Sequence, residues 1–144
     1  MKRILFVCIG NTRRGPMAEG VFNAMVKNHR VEGMQAFSRG IQVNPGTKVA
    51  PQATAALDEC AAGCAAAREA IQLRPEDVES AYRVYCMTQE LCDQLQQMYP
   101  QDKDKIRTAA AQDITDPEDG TIEAYRKCRA ELVDAVYDIM QSLQ

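Results

Sequence analysis

The chain has little that could hold a metal ion or enter a membrane. Its 144 residues include one histidine, His29, and none of its six cysteines forms a Cys-x2-Cys pair, so we predict no metal site. No apolar run approaches the length of a transmembrane helix, and a net charge of −3 does not favour nucleic acid or a membrane surface as a partner. Cysteines without a secretory signal indicate reduced thiols and a cytoplasmic location.

The composition is that of a single globular domain spanning residues 1–144, with 46% hydrophobic and 26% charged residues. Strand and helix patterns alternate along the chain. This alternation predicts a doubly wound α/β fold, with a mostly four-stranded parallel sheet and helices on both faces. The predicted strands are 4–7, 34–38, 82–87 and 106–108, and the predicted helices are 16–28, 51–60, 75–81, 89–98 and 122–143. The alanine-rich segment 61–73 fits neither pattern.

The segment from Cys8 to Arg14 carries the clearest chemical signal. A buried strand ends beside Cys8, a loop with two glycines follows, and Pro16 begins a helix, where its fixed φ is tolerated. Ligands of open parallel sheets bind at the carboxyl ends of strands, which is where Cys8 falls. Loop N–H groups, the helix dipole and the Arg14 guanidinium would bind a tetrahedral dianion and lower the pKa of Cys8, making it a nucleophile. The predicted phosphate-binding residues are Ile9, Gly10, Asn11, Thr12, Arg13, Arg14 and Gly15.

Three segments together resemble one family of enzymes. Residues 8–19 read C-I-G-N-T-R-R-G-P-M-A-E, close to the pattern C-x-G-N-x-C-R-S-P-x-A-E. Residues 114–120, I-T-D-P-E-D-G, are similar to an Asp-Pro loop, and residues 123–131 are similar to the closing helix that follows it. The chain thus resembles the low-molecular-weight protein tyrosine phosphatase family over nearly its full length.

The resemblance implies a protein phosphatase that works through a phosphocysteine intermediate, without a metal or other cofactor. Cys8 would attack phosphorus, and Arg14 would hold the equatorial oxygens. Asp116 would protonate the leaving group and then activate the water that releases inorganic phosphate. Asn11 would brace the loop by hydrogen bonds, with Ser38 as a partner. The expected partner is a phosphorylated protein or peptide, and a monomer is favoured.

Three positions depart from the family pattern. The family usually has a serine where this chain has Gly15, and the loss of that hydroxyl predicts a higher pKa of Cys8 and slower catalysis. Arg13 replaces the family's second loop cysteine, so the protective disulfide with Cys8 cannot form. We interpret the Arg13 side chain as facing solvent or a partner. Arg68 falls where the family has a supporting histidine.

Four residues bear on the leaving group and form the predicted substrate rim: Thr12, Val43, Glu118 and Asp119. Tyrosine-directed members tend to have isoleucine where this chain has Thr12, whereas members that resemble bacterial protein arginine phosphatases have threonine. Glu118 and Asp119 stand where tyrosine-directed relatives often carry aromatics, and acidic residues there favour a cationic guanidinium. Val43 also replaces an aromatic. Phosphotyrosine is the family default and phosphoarginine is the alternative.

Two other functions fit parts of the sequence. Thioredoxin-coupled arsenate reductases share this fold and use two further cysteines. Cys86 falls at the first of these, but the spacing to Cys92 is one residue short, and we interpret both as core residues. A phosphate-binding module without turnover would fit the serine missing at Gly15. Tyr125 is interpreted as a core residue.

Overall fold

The sheet at the centre of the molecule is parallel, with the strand order β2-β1-β3-β4. In this computed structural model, which describes residues 1–60 and 68–144, the strands are β1 (Lys2–Cys8), β2 (Met34–Gly40), β3 (Arg83–Cys86) and β4 (Ile106–Thr108). Strand β1 lies between β2 and β3, and its apolar run suits a strand that is buried on both faces. The predicted four-stranded parallel sheet is confirmed.

Helices cover both faces of this sheet. They are α1 (Arg14–Asn28), α2 (Pro51–Glu59), α3 (Pro75–Ser80), α4 (Gln89–Met98) and α5 (Ile122–Ser142), with a 3₁₀ helix over Pro100–Lys105. Ile4, Phe6 and Cys8 of β1 belong to a core shared with α1, α2 and α5. Leu5 and Val7 belong to a second core shared with α3 and α4. The doubly wound arrangement is therefore confirmed.

Some predicted elements differ at their ends. Helix α1 begins at Arg14, two residues before the predicted start, because the loop turns directly into the helix and the Met17 N–H donates to the Arg13 carbonyl at 3.2 Å. Strand β2 continues to Gly40, since its pairing with β1 extends as far as Cys8. The sequence patterns do not predict the 3₁₀ helix, which has no buried residues and hence no apolar period.

The segment 61–73 is described from Arg68 onward. Its described part makes isolated β-bridges, between Lys48 and Glu69 and between Gly40 and Gln72, so it runs past the carboxyl end of β2. Residues 61–67, which include Cys64, lie outside the described residues. Cys60, directly before them, is exposed and free.

Gly40 allows the loop after β1 to cross the end of β2. A Cβ at this position would lie 2.7 Å from the Ile9 carbonyl oxygen and 2.9 Å from the Asn11 nitrogen. It would also lie 2.7 Å from Val43 Cγ2, because the Val43 side chain packs against this glycine. Any side chain at position 40 would therefore push the loop away from the sheet.

Candidate active site

The loop between β1 and α1, residues 8–15, is here called the Cys8 loop. The Cys8 and Ile9 carbonyl oxygens accept hydrogen bonds from the N–H groups of Ile41 and Gln42, at 3.0 and 2.9 Å. A trans peptide points its C=O and N–H in opposite directions, so the N–H groups next to these carbonyls lie on the other side of the loop. Asn11 has a left-handed φ of 56°, and its N–H donates to Cys8 Sγ at 3.3 Å. A curved row of donors is the arrangement that binds an anion.

A pocket of about 460 Å³ opens over the Cys8 loop. Its walls come from the Cys8 loop, from the segment after β2, and from residues 114–120, here called the Asp116 loop. The lining residues are Cys8, Ile9, Gly10, Thr12, Arg13, Arg14, Gln42, Asn44, Thr47 and Asp116. The structure thus brings together Cys8, Arg14 and Asp116, the three residues predicted to be catalytic.

Cys8 lies at the floor of the pocket, with 3% of its surface exposed. Burial is the largest effect on its pKa and raises it. The N–H groups of Gly15 and Asn11 lower the pKa of the thiol, as does the Arg14 guanidinium, whereas the Asp116 carboxylate raises it. The pKa of Cys8 is above its ordinary value, so the predicted lowering is wrong. In the folded protein, burial outweighs the donors and the nearby positive charge.

Gly15 packs directly against the thiol. A Cβ at Gly15 would lie 2.8 Å from Cys8 Sγ and 3.3 Å from Asn11 Nδ2, so a serine there would displace one of these groups. Because Gly15 has no side chain, α1 approaches Cys8 closely, and the Gly15 backbone N–H contributes to lowering the thiol pKa. The missing serine is therefore accompanied by a tight backbone contact with the nucleophile.

Arg14 begins α1 and is 6% exposed. Its Nη1 donates to the Ile114 carbonyl at 3.0 Å, and its Nη2 lies 4.0 Å from Asp116 Oδ2. These contacts orient the planar guanidinium along the pocket wall, where it can present N–H groups to two oxygens of one phosphate.

Arg13 contacts Asp116 through two hydrogen bonds. Its Nε donates to Oδ1 at 3.0 Å and its Nη2 donates to Oδ2 at 3.3 Å. Its Nη1 lies 3.8 Å from an oxygen of Asp119, whose side chain is fully exposed. The Arg13 side chain, interpreted from the sequence as facing solvent or a partner, is 32% exposed but is bonded within the molecule to Asp116. Nothing local in the sequence predicts this contact, because it joins residues 103 positions apart.

The Asp116 loop is anchored on both sides of Asp116. Glu118 has a left-handed φ of 51°, and its N–H donates to Asp116 Oδ1 at 3.0 Å. The Tyr125 hydroxyl donates to the Glu118 carbonyl, so this fully buried residue of α5 also holds the loop. On the other side, the Thr115 N–H donates to Glu131 Oε1 at 3.2 Å.

A buried hydrogen-bond network supports the Cys8 loop from behind. Asn11 Nδ2 donates to Ser38 Oγ at 3.1 Å, and Ser38 Oγ donates to Glu19 at 2.7 Å, so the predicted contact between Asn11 and Ser38 is present. Arg68 donates to all three side chains, at 3.0 Å to Asn11, 2.8 Å to Ser38 and 3.1 Å to Glu19. The Ile71 N–H also donates to Asn11 Oδ1, at 2.9 Å. Sequence reasoning missed Glu19, although the residue ends the loop motif.

The predicted rim residues occupy different places. Thr12 lines the pocket, but Val43 is not among the lining residues and packs instead against Gly40. Glu118 and Asp119 line a shallow cleft beside the pocket, together with Arg13. Three polar residues that sequence reasoning missed, Gln42, Asn44 and Thr47, line the pocket. The turn after β2 has no periodicity that would show which side chains face inward.

Known proteins resemble this chain over nearly its full length. Residues 3–144 match the family described as low molecular weight phosphotyrosine protein phosphatase. The chain belongs to this family. It is 35% identical to a protein-arginine-phosphatase of Geobacillus stearothermophilus, over 99% of this chain and 96% of that protein. A low molecular weight protein tyrosine phosphatase from T. tengcongensis has a TM-score of 0.92 and 32% identity, covering 99% of each chain.

A third relative is informative about chemistry. A mutant of the YwlE arginine phosphatase was solved with a phosphorylated active-site serine. It has a TM-score of 0.89 and 29% identity, covering 98% of this chain and 95% of that chain. As a member of this family, the protein is a protein phosphatase, and the predicted family and enzyme class are confirmed.

Cys86 and Cys92, the two cysteines that an arsenate reductase would use, do not line the pocket. Cys86 and Cys92 pack in the core between the sheet and α4, on the face opposite to that of Cys8, and Cys92 Sγ donates to the Ile106 carbonyl at 3.8 Å. Burial raises the pKa of both thiols. Both residues are therefore core residues, as interpreted.

Residues 1–60 and 68–144 contain neither a metal-binding cluster nor a membrane-spanning helix. No group of three or more His, Cys, Asp or Glu side chains in this part of the phosphatase is arranged to hold a metal ion. No helix within the same residues is long and apolar enough to cross a membrane.

Proposed function

We propose that this phosphatase hydrolyses phosphoarginine in proteins or peptides through a phosphocysteine intermediate on Cys8. The Cys8 thiol, whose pKa is raised by burial, first loses its proton to water, and the thiolate then attacks phosphorus and forms an S–P bond as the P–N bond breaks. The leaving guanidine nitrogen takes a proton from Asp116. Asp116 then takes a proton from water, whose oxygen attacks phosphorus and breaks the S–P bond. Inorganic phosphate leaves and the Cys8 thiolate is regenerated. Arg14 and the loop N–H groups stabilise the phosphoryl oxygens in both steps.

The observation that carries the proposal is the convergence of Cys8, Arg14 and Asp116 on one pocket at the N-terminus of α1. A thiol, a guanidinium and a carboxylate around one pocket supply a nucleophile, an oxyanion partner and a proton carrier. The phosphorylated active-site serine of the related arginine phosphatase mutant supports a covalent step.

The pocket lining supports arginine as the leaving group. The described lining residues around the Cys8 loop include Thr12, Gln42, Asn44 and Thr47 but no aromatic side chain against which a phenol could stack. The fully exposed carboxylate of Asp119 beside the pocket adds negative charge that attracts a guanidinium. The 35% identical relative is itself named a protein-arginine-phosphatase.

Phosphotyrosine is the second candidate substrate. It is favoured by the tyrosine phosphatase from T. tengcongensis, which has a TM-score of 0.92 to this chain. The arsenate reductase alternative has less support, because Cys86 and Cys92 belong to the core on the opposite face of the sheet from Cys8.

The test is turnover of one peptide sequence carrying either phosphoarginine or phosphotyrosine. We expect a higher kcat/KM for phosphoarginine, abolished turnover in Cys8→Ser, and reduced turnover in Asp116→Ala. Cys60→Ser, which changes an exposed free thiol, is the matched control and should retain activity. Thr12→Ile should move the preference toward phosphotyrosine.

Other results would change the assignment. A wild-type preference for phosphotyrosine would favour the second candidate, and phosphate binding without any turnover would favour a binding module. We also propose that the enzyme is a cytoplasmic monomer. The free thiols of Cys8, Cys60, Cys86, Cys92 and Cys128 support the location, and sedimentation of the purified protein tests the oligomeric state.

A further inference from the structure

The contact between Arg13 and Asp116 joins the two loops that form the pocket. We propose that Arg13 is a positioning residue for Asp116, holding its carboxyl group at the mouth of the pocket in the orientation that proton transfer requires. This inference rests on the proposed function, because it takes Asp116 as the proton carrier.

The geometry of the contact determines orientation as well as distance. Arg13 donates from Nε and Nη2 to both oxygens of Asp116, at 3.0 and 3.3 Å, which fixes the plane of the carboxyl group. A single donor would hold one oxygen and leave the group free to rotate. The backbone of Arg13 is itself fixed at the start of α1, because the Arg13 carbonyl accepts the Met17 N–H at 3.2 Å.

The backbone of the Asp116 loop has anchors that do not involve Arg13. Tyr125 holds the Glu118 carbonyl, Arg14 holds the Ile114 carbonyl at 3.0 Å, and the Thr115 N–H bonds to a carboxylate of α5. Loss of the Arg13 side chain should therefore leave the loop folded and leave the Asp116 carboxyl group held at Oδ1 alone, by the Glu118 N–H at 3.0 Å. Arg13 and Asp116 are both about one-third exposed, at 32% and 30%, so the fold does not depend on their burial.

The cysteine that the family usually has at this position has no fork of N–H donors. Arginine supplies two donors in a plane that matches a carboxylate, and lysine supplies only a point charge. The arginine at position 13 thus orients the Asp116 carboxyl group, in addition to removing a thiol from the Cys8 loop.

The experiment compares Arg13→Met, Arg13→Lys and a control across aryl phosphates whose leaving phenols range from strongly to weakly acidic. A weakly acidic phenol needs the proton from Asp116, whereas a strongly acidic phenol leaves without it. We expect Arg13→Met to lower kcat roughly tenfold for the weakly acidic phenols and little for the strongly acidic ones, as a fraction of the 10²–10⁴ that a general acid contributes. Arg13→Lys should fall between Arg13→Met and the wild type.

The matched control is Arg39→Met, which breaks an arginine–aspartate pair with Asp77, 3.3 Å apart and away from the pocket. It should leave the dependence on the leaving group unchanged. A purely structural role for Arg13 would instead lower kcat by the same factor for every phenol, and that result would overturn the proposal. A rise in phosphoarginine turnover in Arg13→Met would also overturn it, because Arg13 would then compete with the substrate guanidinium for Asp116.

Failure of the proposed function gives a different pattern. If the wild type prefers phosphotyrosine, the comparison of Arg13 variants across the aryl phosphates still tests the role of Arg13. A wild type that hydrolyses no phosphate compound contradicts the proposed function, and the orientation of Asp116 is then measured directly in a crystal structure of Arg13→Met. An Asp116 carboxyl group that keeps its position there would refute the role of Arg13, and one that turns away would support it.

Discussion

The Cys8 loop and the Asp116 loop face the same pocket but are held in different ways. Behind the Cys8 loop, Asn11 and Ser38 are fully buried and bonded to each other; Arg68 donates to both, and Ser38 donates to Glu19. In the Asp116 loop, the functional carboxylate is about one-third exposed and pairs with Arg13, which is exposed to the same degree. Buried polar groups are costly to leave unpaired, whereas surface ion pairs are screened by water and salt. Loss of a contact should therefore lower stability more behind the Cys8 loop than in the Asp116 loop.

The largest effect is expected at the buried arginine of the pocket. Arg14→Lys keeps a positive charge but loses the planar fork, so two phosphate oxygens lose a shared partner. We expect kcat to fall about 100- to 1,000-fold, the range seen for loss of an oxyanion donor. Arg39→Lys serves as the control for an arginine outside the pocket. A loss of less than tenfold in Arg14→Lys would show that the loop N–H groups alone bind the phosphoryl oxygens.

A smaller effect, on stability, is expected from the network behind the Cys8 loop. Asn11→Ala removes partners of Ser38, Arg68 and the Ile71 N–H, and it puts alanine at a left-handed φ of 56°. We expect the free energy of unfolding in urea to fall by about 1–3 kcal/mol, the cost of leaving buried polar groups unpaired. Asn28→Ala, at an exposed position, should leave it unchanged. Equal values for the two variants would mean that the network does not stabilise the fold.

The raised pKa of Cys8 predicts the pH dependence of its alkylation. Because the thiolate is the reactive form and burial raises the thiol pKa, the rate with iodoacetamide should increase about tenfold per pH unit through neutral pH and should still be rising at the ordinary thiol pKa of about 8.5. Mass spectrometry assigns the label to Cys8, with Cys8→Ser as the background. A plateau reached below neutral pH would contradict the raised pKa.

The smallest effect is expected at the exposed end of the Asp116 loop. Asp119→Ala removes a fully exposed carboxylate that lies 3.8 Å from Arg13. We expect KM for a phosphoarginine peptide to rise roughly two- to threefold at low salt and the difference to vanish at high salt, since exposed charges are screened. Turnover of neutral aryl leaving groups should not change. A salt-independent effect would place Asp119 in direct contact with the substrate.

The sequence predicts the Cys8 loop better than the Asp116 loop for a physical reason. Cys8, Arg14 and Asn11 lie within seven residues of one another, and a strand–loop–helix unit positions them with little help from the rest of the chain. The Arg13–Asp116 contact spans 103 positions and depends on how α5 and its preceding loop pack, which no local pattern records. The raised pKa of Cys8 is missed for a similar reason, because it depends on burial by distant segments.

The turn after β2 shows the same limit in another form. Asn44-Pro45-Gly46 is recognisable as a turn, yet the chain around it puts Gln42 and Asn44 on the pocket and Val43 against Gly40. Side chains that alternate between two surfaces are assigned correctly only when the path of the backbone is known. The strands and helices were predictable because their apolar periods repeat over many residues.

The contact between Gly15 and Cys8 Sγ also constrains how this enzyme can change over evolutionary time. A single substitution to serine would add a Cβ that comes to 2.8 Å from the sulfur, and the most mobile response is rotation of the Cys8 side chain. That substitution would turn the Cys8 sulfur away from phosphorus before it lowered the stability of the fold. We therefore expect a return to the common family residue to retain full activity only together with a second change that moves α1 away from the thiol.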